Sequence, residues 1–127
     1  YFPSLIADVR STFLPISQLA SEIHSITGAA IDVEPFPLPR DLFDSFAAVG
    51  WARPEFYLNR DIRHGISSFS QIHPDELEDG LLHLQEDLET GKWDRKYGEL
   101  RHRDRYDVGY CFVKSMFPFQ ALPGLKD

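Results

Sequence analysis

The first quarter of the chain repeats apolar residues with the spacing of amphipathic helices. Pro3 suits a first helical position, and the apolar side chains that follow it return to one face. Residues 17–28 repeat this pattern, with Ser17 as the expected N-cap and Gly28 as the left-handed residue that ends the helix. The pattern therefore predicts helices over residues 3–28.

Two later segments alternate with the period of two residues that is typical of β-strands. In residues 29–36, Ile31 and Val33 alternate with acidic residues, which predicts a strand with one buried face. Residues 106–117 are apolar on both faces, so this predicted strand needs cover on both sides. The intervening PFPLPR run, residues 35–40, holds three prolines and predicts an extended crossing segment outside any central ladder.

Between the two strands, residues 41–104 predict an insertion of short helices, which we call the cap insertion. Asp41 opens the first helix and Gly50 ends it. Asn59 is the expected cap of a further helix that continues to Phe69. The clearest helix is HPDELEDGLLHLQEDLETG, because a proline and acidic residues occupy its first turns and leucines recur on one stripe.

Composition and charge narrow the class of protein. Hydrophobic residues make up 43% of the chain and charged residues 26%, which is typical of a soluble globular domain. A net charge of -7 repels the phosphate backbone, so nucleic acid is not expected as a partner. No apolar run approaches the roughly 20 residues that a membrane-spanning helix needs, so a membrane is not expected either. Cys111 is the only cysteine, which suits a reducing cytoplasm. The chain starts at Tyr1 inside a helical pattern, so we expect a segment of a longer protein.

Two kinds of site leave no trace in the sequence. The eight glycines stand at least seven residues apart, so the chain has no glycine-rich loop that could hold a nucleotide cofactor. Histidine and acid spacings such as His83 with Glu86 arise by chance in an acidic chain, and no metal site is predicted. The run KWDRKYGELRHRDRY interleaves acids with its basic residues, which favours a salt-bridged surface turn over an anion site.

The stretch WARPEFYLNRDIRHGISSF, residues 51–69, is the remaining candidate for a site. Small-molecule pockets use aromatic side chains for apolar contact and arginines such as Arg53 and Arg63 for anionic groups. The same residues could instead form a core whose arginines extend to the surface. Residue type alone favours the core, and both interpretations stay open at this point.

The run from Val33 to Phe117 resembles the C-terminal half of class I S-adenosylmethionine-dependent methyltransferases of the type 11 kind. The resemblance is carried by VEPFPLPRDLFDSF, W-x-R-P-E-x-Y-L, R-x-G-I-S-S-F, LEDGLLHLQEDLETGKWDRKYGEL and DVGYCFVKSMF. It implies that residues 29–36 and 106–117 are the sixth and seventh strands of that fold, paired antiparallel. The implied fold class is α+β, with several short helices and a small antiparallel sheet. The whole chain is then a single partial domain, the C-terminal part of a Rossmann-like methyltransferase domain.

The family binds its cofactor in the first half of its domain, at a glycine-rich turn that this chain lacks. The resemblance therefore implies a substrate-side segment that is inactive alone. Its partners would be the missing N-terminal half, which binds S-adenosylmethionine in the intact enzyme, and a small-molecule acceptor. No catalytic residue is assigned, although Tyr57 or His64 could act as a general base or orienting group. The implied acceptor-side candidates are Trp51, Arg53, Tyr57, Arg63, His64, Ser67 and Ser68.

Two other functions remain open. The chain could be a stand-alone binding or dimerisation module, because two strands make a marginal sheet with exposed edges and apolar surface. A homodimer formed through an exposed strand edge would cover them. An unrelated small-ligand binder of the α+β class is the third possibility.

Overall fold

The computed structural model of the chain describes residues 1–44 and 46–117. The helices are α1 (Pro3–Thr12), α2 (Ile16–Thr27), α3 (Arg60–His64), α4 (Pro74–Glu89) and α5 (Lys92–Tyr97). The strands are β1 (Ala30–Pro35), β2 (Leu38–Pro39), β3 (Arg105–Tyr106) and β4 (Cys111–Met116). Short 3-10 helices cover Pro54–Leu58, Ser67–Gln71 and Gly98–His102.

The two helices predicted for the start of the chain are present as α1 and α2. Pro3 occupies the first turn of α1, and Gly28 ends α2 in a left-handed conformation with φ of 68°. The expected cap is wrong, however, because α2 begins at Ile16 with Pro15 at the N-cap position, and Ser17 lies inside the helix. A hydrogen bond of 2.7 Å between His24 Nδ1 and the Ala29 carbonyl oxygen then joins α2 to the segment that enters β1.

The sheet is antiparallel, as expected, but its second strand is shorter than predicted. β1 pairs with β4 in a register that runs from Ala30 opposite Met116 to Pro35 opposite Cys111. The predicted strand over residues 106–117 is divided into β3 and β4, because Gly109 takes a positive φ of 95° that turns the chain. Asp107 stabilises the turn by accepting a hydrogen bond of 2.9 Å from the Gly109 N–H.

The proline-rich segment is extended, as predicted, and it also forms a second sheet. β2 pairs antiparallel with β3, with Leu38 opposite Tyr106 and Pro39 opposite Arg105. A two-stranded sheet consists of edge strands, where a proline can be accommodated. Leu38 is 2% exposed, so this small sheet places an apolar side chain in the core.

The helix predicted between Asp41 and Gly50 is absent, and the described residues there form bends and turns. The Trp51 N–H bonds the Ala48 carbonyl three residues earlier, as in a turn rather than an α-helix. Tyr57 explains the difference, because its hydroxyl donates to the Ala47 carbonyl at 2.7 Å and accepts from the Gly50 N–H at 3.0 Å. A side chain therefore satisfies backbone groups that a helix would have used internally.

The helix capped by Asn59 also ends earlier than predicted. Asn59 does cap α3, accepting from the backbone N–H groups of its first turn, but α3 stops at His64. Ile66, Phe69 and Ile72 follow outside it, each with at most 6% of its surface exposed. Their spacing of three fits the 3-10 helix found here, in which residues three apart lie on the same side.

The clearest predicted helix is confirmed as α4. Leu84 on this helix is 1% exposed, and Tyr1 and Phe2, which precede α1, lie close to Gly80. A Cβ at position 80 would lie 2.5 Å from the Tyr1 carbonyl oxygen, so glycine is required for this approach. Ser4 holds α1 in place, because its N–H and its hydroxyl both donate to Glu76 of α4, at 2.9 and 2.8 Å.

The buried core lies on one side of the molecule. We call residues 36–106 the cap region, and residues 1–35 with 107–117, which hold α1, α2, β1 and β4, the sheet layer. One core cluster of the cap region is centred on Leu38 and Trp51, and another on Phe69 and its neighbours. In the sheet layer α2 packs against β1 and β4, while Phe112 remains 54% exposed. Within the described residues, the helices are too short or too polar to cross a membrane.

Candidate functional site

A cavity of about 500 Å³ lies between α1 and the cap region. The start of the chain forms one wall of the cavity, and the turns around residue 50 form a second wall. The third wall consists of α4, α5 and the residues that follow α5. We call this cavity the aromatic cavity, because seven of its lining residues are aromatic. The lining residues are Tyr1, Phe2, Pro3, Leu5, Ile6, Ala47, Gly50, Trp51, Pro54, Tyr57, Phe69, Leu84, Trp93, Tyr97 and Leu100.

Two phenol hydroxyls of the cavity lining are already hydrogen-bonded to protein atoms. The Tyr57 hydroxyl has one donor and one acceptor partner in the backbone of the 47–50 turn. Burial raises the pKa of Tyr57, so its hydroxyl is protonated at neutral pH. The Tyr1 hydroxyl donates to Asp87 Oδ2 at 2.6 Å. These groups therefore brace the walls of the cavity.

Asp87 connects the Tyr1 wall to α5. Its carboxylate accepts from Tyr1 and forms an ion pair of 2.8 Å with Lys92, and its side chain is 16% exposed. The hydrogen bond from Lys92, followed by the one from Tyr1, holds the pKa of Asp87 below its usual value. Burial and the bond to Asp87 raise the pKa of Tyr1. The network keeps a neutral phenol and a paired carboxylate beside the cavity.

Of the seven acceptor-side candidates named from the sequence, Trp51 and Tyr57 line the aromatic cavity. Trp51 is 8% exposed and packs on Tyr106 with ring centres 5.4 Å apart. Its indole Nε1 is buried and has no hydrogen-bond partner among the described residues. Tyr57 packs on Phe69 with ring centres 5.8 Å apart. Both residues therefore belong to the core and to the cavity wall at once.

The two candidate arginines lie outside the cavity lining. The Arg53 guanidinium stacks over the Phe56 ring at 4.0 Å and donates to the Leu42 carbonyl oxygen at 3.4 Å. Arg63 donates to the Tyr57 carbonyl oxygen at 2.6 Å, and burial lowers its pKa. Both guanidiniums thus hold loops of the cap region in place, and neither lines the cavity where an anionic group could bind.

The remaining candidates also lie outside the cavity lining. His64 is exposed and accepts a hydrogen bond of 3.4 Å from Arg60 Nε. Ser67 is exposed and Ser68 is half-buried in the 3-10 helix that follows. The structure therefore brings two of the seven predicted residues together at the cavity and leaves the other five elsewhere in the cap region.

Sequence reasoning missed the walls of the cavity that come from outside residues 51–69. Trp93 and Tyr97 stand one helical turn apart on α5 and face each other at 5.7 Å, a spacing that could have indicated a shared aromatic face. Leu84 belonged to the leucine stripe already identified on α4. Tyr1 and Phe2 meet these residues only through the tertiary approach at Gly80, which no local pattern indicated.

The described residues contain no single loop of closely spaced glycines of the kind that holds an adenosyl group. Positive φ values occur at Gly28, Gly91 and Gly109, three separate boundaries of secondary structure, and not in one loop that could cradle a nucleotide. The aromatic cavity has no carboxylate in its lining for ribose hydroxyls. In the part of the chain that the structure covers, there is also no cluster of three metal-ligating side chains.

Among solved structures, the chain is similar to a protein from Anabaena variabilis ATCC 29413 described as a "putative methyltransferase from antibiotic biosynthesis pathway". The TM-score is 0.85 and the sequence identity is 39%. The match covers 90% of this chain but 46% of that protein, so the chain spans less than half of its length. Comparison with known protein families and with curated proteins finds no match. The likeness supports the expected relationship to a methyltransferase.

Proposed function

We propose that the chain is the C-terminal, acceptor-side segment of a class I methyltransferase that uses S-adenosylmethionine. The observation that carries this proposal is the 39% identity across 90% of the chain to less than half of a protein described as a methyltransferase. The remaining half of such an enzyme would bind the methyl donor, because the described part of this chain has no cradle for it. The Rossmann-like character of the complete domain is part of the same proposal.

The chain's own contribution would be to bind and orient the acceptor. Aromatic and aliphatic walls offer the acceptor apolar contact, and a fixed orientation of the acceptor lowers the entropic cost of reaching the reactive geometry. Trp51 and Tyr57 would serve as two of these walls. Tyr57 would also hold the 47–50 turn through its hydroxyl. Because that hydroxyl already has one donor and one acceptor partner in the backbone, it is not available to act as a base. A role for His64 in the intact enzyme stays a prediction.

Methyl transfer can be measured with two proteins. One is the 127-residue chain, and the other contains the same chain joined to the reading frame that precedes Tyr1. Both would be incubated with radiolabelled S-adenosylmethionine and an extract of small molecules from the source cells. We expect label in small molecules only with the longer protein. Transfer by the 127-residue chain alone, or absence of transfer with a folded longer protein, would contradict the proposal.

The exposed sheet supports a second candidate function, a dimerisation module. Phe112 is 54% exposed and Met116 is 55% exposed on β4, and apolar patches of this kind mark protein contacts. Two copies could pair through a free strand edge and cover these side chains. Light scattering on the 127-residue chain separates the candidates, since a dimer that Phe112→Lys converts to a monomer would favour this function. A monomer would favour the acceptor-side segment.

A further inference from the structure

We propose that the aromatic cavity takes an uncharged aromatic molecule of two or three fused rings. Its role as a methyl acceptor rests on the proposed function, whereas its binding to the chain does not. The observations behind this inference are the size of the cavity, the absence of charged side chains from its lining, and the cations that already cover two of its aromatic walls.

The volume of the cavity sets the size of the ligand. Small-molecule pockets range from about 300 to 1,000 Å³, and a dry apolar cavity of about 150 Å³ already binds benzene. The aromatic cavity measures about 500 Å³ and therefore has room for more than one ring. Flat walls such as Trp93 and Tyr57 suit a planar molecule, because aromatic rings pack well edge to face or offset.

The charges near the cavity exclude an anionic ligand. None of the lining residues has a charged side chain. An ionised group inside would lose its hydration without gaining a partner, which is costly in an apolar site. The nearby Lys92 is already paired with Asp87, and Arg101 binds Asp94 at 2.6 Å and Glu55 at 3.1 Å. A bound carboxylate would have to compete for cations that these acids already hold.

A cationic ligand is disfavoured for a different reason. Aromatic boxes can bind ammonium groups through the negative faces of their rings. Here Arg101 already lies over the Trp93 ring at 4.7 Å, and Lys96 lies over the Tyr97 ring at 4.9 Å. These rings are polarised by resident cations, which would also repel a second positive charge. An uncharged ligand avoids both penalties and gains apolar contact.

The two tryptophans of the chain both line the cavity, so tryptophan fluorescence reports on binding there. The 127-residue chain would be titrated at neutral pH with 2-naphthol, 2-naphthoate and 2-naphthylmethylammonium, which share a ring system and differ in charge. We expect saturable quenching by 2-naphthol, with an affinity at least about tenfold higher than for either ion. Equal or tighter binding of an ion, or no saturable binding of any probe, would overturn the inference.

A matched pair of tyrosine variants tests whether 2-naphthol binds in the cavity. Tyr97 lines it and is 38% exposed, whereas Tyr110 is 40% exposed and packs on Phe46 outside the lining. Tyr97→Ala should weaken 2-naphthol binding at least about fivefold through lost apolar contact, and Tyr110→Ala should leave it unchanged. Equal effects of the two variants would contradict binding in the cavity. If Tyr97→Ala fails to fold, Ala47→Leu replaces it, because a larger side chain in the lining should also weaken binding.

These measurements separate the inference from the proposed function, because the titration contains no methyl donor. Retained methyl transfer by the longer protein without binding of 2-naphthol would refute the ligand class and leave the proposed function in place. Binding of 2-naphthol by the chain, with no transfer by the folded longer protein, would refute the proposed function and leave the ligand class in place.

Discussion

The cap region and the sheet layer differ in how far their apolar side chains are buried. Among the described residues, nine of the ten buried apolar ones lie in the cap region, between Leu38 and Trp93, and the tenth, Ala29, belongs to the sheet layer. Of the fifteen large apolar residues with exposed surfaces in residues 1–44 and 46–117, twelve lie in the sheet layer, and Phe13 and Ile26 are 68% and 80% exposed. The cap region thus holds most of the core, with Phe2 and Leu5 packed against it, whereas most of the sheet layer presents apolar surface outward.

This difference indicates that the sheet layer is the part of the chain with apolar surface available for contact with another protein surface. Two paired strands with one helix on them are marginal by themselves, and exposed apolar surface of this kind indicates an interaction site. The first turn of α1 is held by the cap region through Ser4, Glu76 and the ring contact of Phe2 with Phe69. The other half of a methyltransferase domain would, on our proposal, cover the sheet layer and leave the cap region over the acceptor.

The largest expected contrast comes from truncating one leucine and one isoleucine. Leu84→Ala in the cap region should lower the free energy of unfolding by about 2–5 kcal/mol, because it truncates a side chain that is 1% exposed. Ile26→Ala in the sheet layer should change it by less than about 0.5 kcal/mol, because this side chain is largely in water. Urea unfolding of both variants measures the two costs. Similar losses would show that the two regions are packed alike.

Removal of one hydroxyl tests the bonds that replace the predicted helix. Tyr57→Phe should cost about 1–3 kcal/mol, because it leaves the Ala47 carbonyl and the Gly50 N–H without their partner. Tyr110→Phe is the control, since Tyr110 is 40% exposed in the sheet layer and should change stability little. Thermal unfolding of both proteins gives the comparison. An unchanged stability of Tyr57→Phe would mean that the turn does not depend on this side chain.

A pair of glycine variants tests the junction between α2 and β1. Gly28→Ala should destabilise by about 1–2 kcal/mol, because the residue has a positive φ of 68° that alanine rarely adopts. Gly98→Ala should be neutral or slightly stabilising, because Gly98 has helical angles and its new Cβ would meet Asp94 Cβ at an ordinary 3.7 Å. Urea unfolding measures both, and the reverse order of effects would contradict the assigned backbone conformations.

The smallest expected effect concerns the pH dependence of Asp87. Its pKa is depressed in the folded chain, so its contribution to stability is present above the unfolded value of about 3.9 and is lost as pH falls through the folded value. The stability lost on Asp87→Asn should therefore be larger at pH 6 than well below pH 4.

The matched control is Asp79→Asn, because Asp79 lies on the same helix and has no hydrogen bond or ion pair among the described residues. Denaturant unfolding across this pH range measures both variants, and Asp79→Asn gives the cost of removing another α4 carboxylate at each pH. A cost of Asp87→Asn that does not fall at low pH would count against the pairing with Lys92 and Tyr1.

Sequence patterns predicted the elements whose residues repeat locally. The α4 stripe, the two N-terminal helices and the strand β1 each follow from side chains within one segment. The buried face predicted for β1 is wrong, because Val33 is 37% exposed and Ile31 is half-buried. The absent helix before Gly50 shows where such reasoning fails, since the Tyr57 hydroxyl takes the backbone groups from a position seven residues later. The break at Gly109 was missed, although a glycine inside a strand pattern often marks a bend.

The candidate site was predicted only in part, because local sequence spacing does not show which side chains meet in the folded chain. Aromatic and arginine residues close together in sequence suggested one pocket, but side chains at Trp51 and Arg53 point to different surroundings. Trp51 packs on Tyr106 and lines the cavity, whereas Arg53 stacks on Phe56 outside the lining. Residues that complete the cavity, such as Tyr1 and Tyr97, meet through tertiary packing, which local spacing does not encode.

Calorimetric titration of the 127-residue chain with S-adenosylmethionine tests the central claim most directly. The same titration of the longer protein, which includes the reading frame before Tyr1, serves as the positive control. We predict no detectable heat of binding with the 127-residue chain and saturable binding with the longer protein. Saturable binding of the donor by the 127-residue chain alone would contradict the division of donor and acceptor sites between two halves.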